Sequence, residues 1–449
     1  MANAPGGIPD MATVARGRSG RDSGAIRLLP QVTCPHCWER FAPEEVLWIS
    51  EHVDLIGDPL LGPDQMRRFL PSRFTVEGDA IDARGMACRS LACPKCHLTV
   101  PRSLTELEPL FLSILGAPAS GKSYLLTAMI WQLRDALPSD FGIGFVDADP
   151  AANRALNECE ESLFLNPRET EILPLGGLIR KTELQGELYD TVNYGQQVVS
   201  YPRPFVFAMR PTPSHPNFER AAELSRMLCL YDNAGEHFQP GQDTTASPAT
   251  RHLARSRALL FLFDPTQDKR FRAACRGKAL GAGVGGGRDN RLSRQETLLN
   301  EAAARVRKFR GLSQSARDDR PLIVVLSKFD VWSHLVGSMD DPEPWRRGPG
   351  GLCGIELKRI EERSDLLREL LRRYCPETVA AVEGFAQDIT YVAVSALGDR
   401  MEIDPATKLP GVRPANIKPY WATVPLLHAL GKTMPALIPR FKRRSSGSR

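Results

Sequence analysis

The sequence predicts an α/β fold: an open, mostly parallel sheet flanked by helices, with a small cysteine-bearing module ahead of it. Three observations point there. Phe111–Leu126 reads FLSILGAPASGKSYLL, an apolar run leading through GxxxxGKS into a helical pattern. Later apolar runs break off in short polar boxes, as expected where strand ends line one edge of such a sheet. Cys34-Pro-His-Cys37 and Cys93-Pro-Lys-Cys96 are two turns of one form, roughly 55 residues apart.

With 449 residues the chain has room for one large α/β domain and something smaller. The expected division is a disordered N-terminus over 1–28, the cysteine module over 29–105, the α/β domain over 106–437 and a basic disordered tail over 438–449. The formal net charge of +5 is misleading, because Arg440, Lys442, Arg443, Arg444 and Arg449 in an acid-free tail account for all of it. The body is near neutral, so nothing global argues for nucleic acid or a membrane surface. No apolar run reaches the length of a membrane span, and the first residues lack the hydrophobic core of a signal peptide. Of the 10 cysteines, some are scattered and the rest crowd into the N-terminal part, which fits a reducing cytoplasm and not a secreted disulfide framework.

A phosphate-cradling loop needs a buried strand that delivers the chain to a tight turn opening a helix, and Phe111–Leu126 supplies that context. Gly116 and Gly121 let the backbone pass close to phosphate oxygens. The N–H groups from Ala119 onward, through Ser120, Gly121 and Tyr124, can point inward at the positive end of the helix dipole. Lys122 is placed to reach the β- and γ-phosphates, and Ser123 to offer its hydroxyl to Mg²⁺. A nucleoside triphosphate is the expected ligand.

The next elements follow in order. Ser123–Leu137 carries a helical stripe ending at Pro138, and Pro204–Arg210 reads as a strand, with Asp140–Arg203 between them poorly assigned. The run Arg226–Tyr231 leads into Asp232-Asn233-Ala234-Gly235, where a carboxylate at a strand end can hold the Mg²⁺ water shell and Gly235 can donate its N–H to a γ-phosphate. Ala258–Phe263 is a strand running into Asp264-Pro265-Thr266. Pro321–Leu326 ends in Ser327-Lys328-Phe329-Asp330, and Ile389–Val394 in Ser395-Ala396-Leu397. Gly281–Arg288 is glycine-rich but has no feeding strand, and reads as a connection into a helix over Leu292–Phe309. Ile355–Tyr374 and Val424–Met434 read as covering helices.

In this order (GKS, DxxG, SKxD, SAx) the chain from Leu110 to Pro435 resembles the translation-factor and Ras-like class of P-loop GTPases. With a cysteine module in front, it is also similar to bacterial double-GTPase type proteins. The resemblance implies a P-loop NTPase (Ras-like) sheet, guanine nucleotides (GTP/GDP) and Mg²⁺. It implies that Asp330 accepts from the guanine N1–H and N2–H₂, which adenine cannot supply. The stem of Lys328 would lie over the base, and Ser395 and Ala396 would approach its oxygen through backbone. Ser327 departs from the family's usual Asn, so base affinity is expected to be weaker. Thr182 is the expected switch threonine, with Thr170 and Thr191 as competitors, and Arg180 beside it is a candidate for neutralising transition-state charge. Glu236 or His237 would orient the attacking water; neither occupies the family's usual position, so unassisted hydrolysis is expected to be slow.

Each CPxC unit places two thiolates on one turn, and two such turns complete a closed, structural tetrahedral Zn²⁺ site from Cys34, Cys37, Cys93 and Cys96. A redox CxxC or plain buried thiols are the alternatives. The surrounding basic residues are offset by acids, so docking of a protein partner or activator is at least as well supported as nucleic acid. The expected function is a GTP/GDP conformational switch with Mg²⁺-dependent hydrolysis. The rivals are a hydrolysis-deficient nucleotide-binding interaction module and a P-loop ATPase that engages nucleic acid through the zinc ribbon.

Overall fold

The computed structural model describes residues 28–179, 189–232, 251–275, 294–348, 350–398 and 401–441. Its centre is a 7-stranded sheet. The strands are β1 (Glu108–Gly116), β2 (Ile143–Asp147), β3 (Phe205–Pro211), β4 (Arg226–Asp232), β5 (Ala258–Phe263), β6 (Asp318–Leu326) and β7 (Ala386–Ala393). They lie in the order β2-β3-β4-β1-β5-β6-β7. Strands β4, β1, β5, β6 and β7 are mutually parallel, and β3 runs antiparallel to both its neighbours. The sequence-level expectation of a mostly parallel open sheet is met.

Strand alternation sends successive side chains to opposite faces, and both faces of this sheet are covered. Leu110, Leu112 and Ile114 of β1, Leu228 and Leu230 of β4, and Phe205, Phe207 and Met209 of β3 join the main core. That core also takes in α1 (Lys122–Phe141), α2 (Arg154–Phe164), the helix Gln295–Arg310 and the C-terminal helix Val424–Thr433. Phe111, Met227, Cys229, Tyr231, Val206 and Ala208 face the other way and share one buried cluster with the cysteine module. The module therefore covers a stretch of the sheet.

Helix α1 runs through Pro138 to Phe141 instead of ending before the proline. A proline there forfeits the backbone bond to the carbonyl four residues earlier and crowds that carbonyl, while Phe141, beyond that point, is fully buried in the core. Gly142 then closes the helix with φ 66° and its N–H on Leu137 O. The unassigned stretch after α1 contains β2, α2 and a hairpin pairing Tyr189–Tyr194 with Gln197–Pro202. Between the cysteine turns, Leu47–Ile49 pairs with Arg68–Phe69 and Leu91–Ala92, and two small hairpins fill the remainder. Among the described residues, no helix is long and apolar enough to cross a membrane.

Candidate functional site

Because five strands are parallel, their carboxyl ends share one edge. That edge collects the Gly116–Ser123 loop after β1, Asp232 at the end of β4, Asp264 after β5, Ser327–Asp330 after β6 and Ser395 after β7. The chain adds strands first on one side of β1 and then on the other, which opens a crevice above β1 between β4 and β5.

The loop is shaped by local backbone requirements. Gly116 pairs with Leu262 of β5, and a Cβ there would lie 2.6 Å from Leu262 O. Ala119 and Gly121 take positive φ, 57° and 92°. Helix α1 begins at Lys122, whose Nζ donates to Gly116 O at 2.8 Å and Ala117 O at 3.2 Å. Ser123 opens the same turn. The Tyr124 phenol points elsewhere: it donates to Leu175 O, and its ring packs beside Leu163 and Leu173.

Two buried polar atoms at this edge, Ser120 Oγ and Asp232 Oδ1, have no hydrogen-bond partner among the described residues. Burial raises the Asp232 carboxyl above its ordinary range, and the Lys122 ammonium opposes that shift. A buried carboxylate oxygen left without a partner is costly. The donor set suits a hydrated divalent cation held beside an anion.

The later boxes meet. Ser395 Oγ donates to Asp330 Oδ1 at 2.6 Å and accepts from Gly398 N at 2.9 Å. Burial raises Asp330, and the Ser395 hydrogen bond works against it. Ser327 anchors through its backbone, accepting from Trp332 Nε1 at 2.9 Å and donating to Phe263 O at 3.0 Å. Ala396 packs partly buried against the main core. Lys328 (φ 55°) reaches back to the loop, donating to Ala119 O at 3.2 Å.

Sequence reasoning gave Asp264 no role, yet it is the hub of this edge. It is completely buried and pairs with Lys328 Nζ at 2.6 Å. It also accepts from Thr266 N at 3.0 Å and Thr266 Oγ1 at 2.6 Å, while Gln267 Nε2 bonds Pro118 O at 3.2 Å. The signal was legible: an Asp-Pro-Thr turn closing an apolar strand is an Asx turn with a carboxylate held at the sheet edge.

The four cysteines converge as the spacing predicts. Cys34, Cys37, Cys93 and Cys96 are buried, with their Sγ atoms within 4.8 Å of one another. Cys34–Cys96 and Cys37–Cys93 are each separated by 3.8 Å. A tetrahedron with Zn–S bonds of about 2.3 Å has edges of about 3.8 Å. The turns match in detail. Trp38 N and His97 N donate to Cys34 O and Cys93 O, His36 N and Lys95 N point at Cys34 and Cys93 Sγ, and Trp38 and His97 both take φ near 60°. These residues could hold a metal ion such as zinc. Cys88 is buried but bonds toward Asp82 and Met86 O, away from the four.

Thr182, Arg180, Gly235, Glu236 and His237 lie outside the described residues. No family model matches this chain. Over 313 residues, 66% of this chain and 70% of the other, it is 27% identical to a protein of Mycolicibacterium smegmatis described as "Putative ESX-1 scaffolding and assembly protein SaeC".

Proposed function

We propose that this chain is a cytoplasmic P-loop GTPase of Ras-like fold that binds GTP and GDP with Mg²⁺, hydrolyses GTP slowly and acts as a conformational switch, with a structural zinc module. The observation that carries the reading is the crevice above β1. There the GxxxxGKS loop, Asp232 Oδ1 and Ser120 Oγ (both without a partner among the described residues), and the Lys328–Asp330–Ser395 group share one sheet edge. In this reading Lys122 and the backbone of Ala119–Tyr124 hold the phosphates, Ser123 and Asp232 hold Mg²⁺ with Thr182 closing over it, and Gly235 senses the γ-phosphate. Asp330 selects guanine, already hydrogen-bonded by Ser395, and Lys328, paired with Asp264, reaches the loop at Ala119 O. Mg²⁺ supplies charge neutralisation on the phosphates. Catalysis is then positioning and electrostatics, with Glu236 or His237 beside the water and Arg180 as a candidate for the developing charge.

A hydrolysis-deficient interaction module is the second reading, favoured by the scaffolding and assembly role in the name of the mycobacterial relative. A nucleotide-loaded state would then recruit a protein partner without turnover. The test is fluorescent GDP against ADP with Mg²⁺, for the native chain and Asp330→Ala, followed by single-turnover GTP hydrolysis. Strong GDP preference that collapses in the variant, with measurable turnover, supports the switch. The same preference without turnover supports the module. Equal binding of both nucleotides removes the guanine reading and leaves a generic P-loop NTPase; salt-dependent nucleic-acid binding would then support the ATPase rival.

A further inference from the structure

The cysteine module touches the sheet one residue from Asp232. The Tyr231 phenol is fully buried and donates to Pro35 O, inside the first cysteine turn, while Trp38 Nε1 donates to the same phenol oxygen at 3.0 Å. Both hydrogen-bonding capacities of the hydroxyl are thus committed to that turn. His252 stacks on Tyr231, with ring centroids 4.6 Å apart and planes at 16°. Its Nδ1 lies 2.7 Å from Ser113 Oγ on β1, which is in turn 2.6 Å from Ser256 Oγ. The first cysteine turn, the end of β4, the middle of β1 and the helix Arg251–Arg255 therefore meet in one buried cluster.

Alternation along β4 puts Tyr231 on the module's face and Asp232 on the opposite one. A shift of the phenol is passed directly to the carboxylate, because two adjacent residues of one strand cannot move independently. The turn that holds the phenol is closed by groups from two distant segments, Cys34–Cys37 and Cys93–Cys96, whose sulfur edges fit a tetrahedral ion. Without an ion, four buried sulfurs have no common partner, and the free energy that holds the turns together is lost.

We infer that Tyr231 is a positioning residue for Asp232, and that metal held by the four cysteines sets the affinity of the site for Mg²⁺–nucleotide through the contact of Pro35 and Trp38 with Tyr231. The inference rests on the nucleotide reading above for its consequence, but not for the mechanical coupling itself.

The test uses the full chain, chelator-stripped and then reloaded with Zn²⁺, with metal content measured alongside. Hydrogen–deuterium exchange reads the coupling without any nucleotide. Stripping is expected to raise exchange in Arg226–Asp232 and Arg251–Ser256 while Ala386–Ala393, on the far side of the sheet, stays protected. Mg²⁺–GDP affinity is expected to fall at least tenfold and to return on reloading. Tyr231→Phe keeps the ring and the metal but removes both hydrogen bonds; we expect full Zn²⁺ content and a three- to tenfold loss of Mg²⁺–GDP affinity. Unchanged exchange in β4 after stripping, unchanged affinity in Tyr231→Phe, or failure to take up Zn²⁺ each overturns the inference. If the loaded native chain shows the exchange response but binds no nucleotide, the nucleotide reading has failed, the coupling stands and its functional consequence is withdrawn.

Discussion

Replacing Gly116 by alanine measures how tightly the loop-bearing strand abuts its neighbour. The new Cβ would lie 2.6 Å from Leu262 O, 3.0 Å from Leu262 Cβ and 3.3 Å from Ser120 Oγ. The nearest atom is a backbone carbonyl in the middle of the sheet, on a fully buried residue in register with Gly116. It cannot rotate aside as a side chain would. Relief requires the tip of β1 to withdraw, carrying Ala117–Gly121 with it. Overpacking of a close-packed interior costs about 1–3 kcal/mol, and a backbone contact puts this case in the upper half of that range. The expected fall in melting temperature is on the order of 2–5 °C for a chain of this size. Two controls separate crowding from other effects. Gly121→Ala meets no protein atom within 4 Å but sits at φ +92°, so in the melts it reports backbone strain alone, about 1–2 kcal/mol. Gly384→Ala lies in the helix Pro376–Phe385 with no atom within 4 Å and is expected to be neutral or stabilising by about 0.5–1 kcal/mol. Thermal melts and Mg²⁺–GDP titrations of the three variants provide the assay. A Gly116→Ala protein that melts and binds like the native chain would refute the close approach of β1 and β5 and the shaping of the loop argued from it.

Lys328→Met strands the buried Asp264 carboxylate, which among the described residues keeps only Thr266 and the weaker Gln267 contact. Since the lysine is about a third exposed, the expected cost is roughly 1–3 kcal/mol and not the full penalty of a broken interior pair; adding Asp264→Asn should recover part of it in a double-mutant cycle by chemical denaturation. Tyr124→Phe removes the hydrogen bond to Leu175 O and should cost about 1 kcal/mol in the same measurement while leaving nucleotide affinity untouched. His428 is buried with Nε2 3.0 Å from Thr390 Oγ1, and burial, with Lys432 adding to it, pushes its pKa down to about 3 from 6.5. The unfolded chain therefore takes up a proton that the folded one refuses; this contribution to stability is intact above pH 6.5 and is lost progressively as pH falls towards 3, with a slope of up to roughly 1.4 kcal/mol per pH unit. His428→Gln should flatten that acid limb in melts taken across the range, and an unchanged limb would assign the acid sensitivity elsewhere.

The local features of this protein were written in its sequence. Gly116, Gly121 and the strand–turn–helix context announce the loop, because only certain residues tolerate its backbone. The repeated CPxC spacing announces four converging sulfurs, since each turn geometrically pairs two of them. Apolar runs such as Ala258–Phe263 announce buried parallel strands, which match the observed β5 residue for residue. What the sequence could not determine is what depends on partners distant along the chain. β2 has a short, glycine-interrupted pattern and becomes a strand because β3 pairs with it. Helix α1 passes Pro138 because the core rewards the burial of Phe141 beyond it. Asp264 becomes a hub only when Lys328, sixty-four positions later, folds back across the loop. The cysteine module reads as a separate ribbon in one dimension, but Trp38 and Tyr231, nearly two hundred residues apart, make it part of the wall of the sheet. Periodicity and turn chemistry are encoded within a few residues. Pairing of strands, satisfaction of buried charge and packing of one module on another are decided only when the chain has closed on itself.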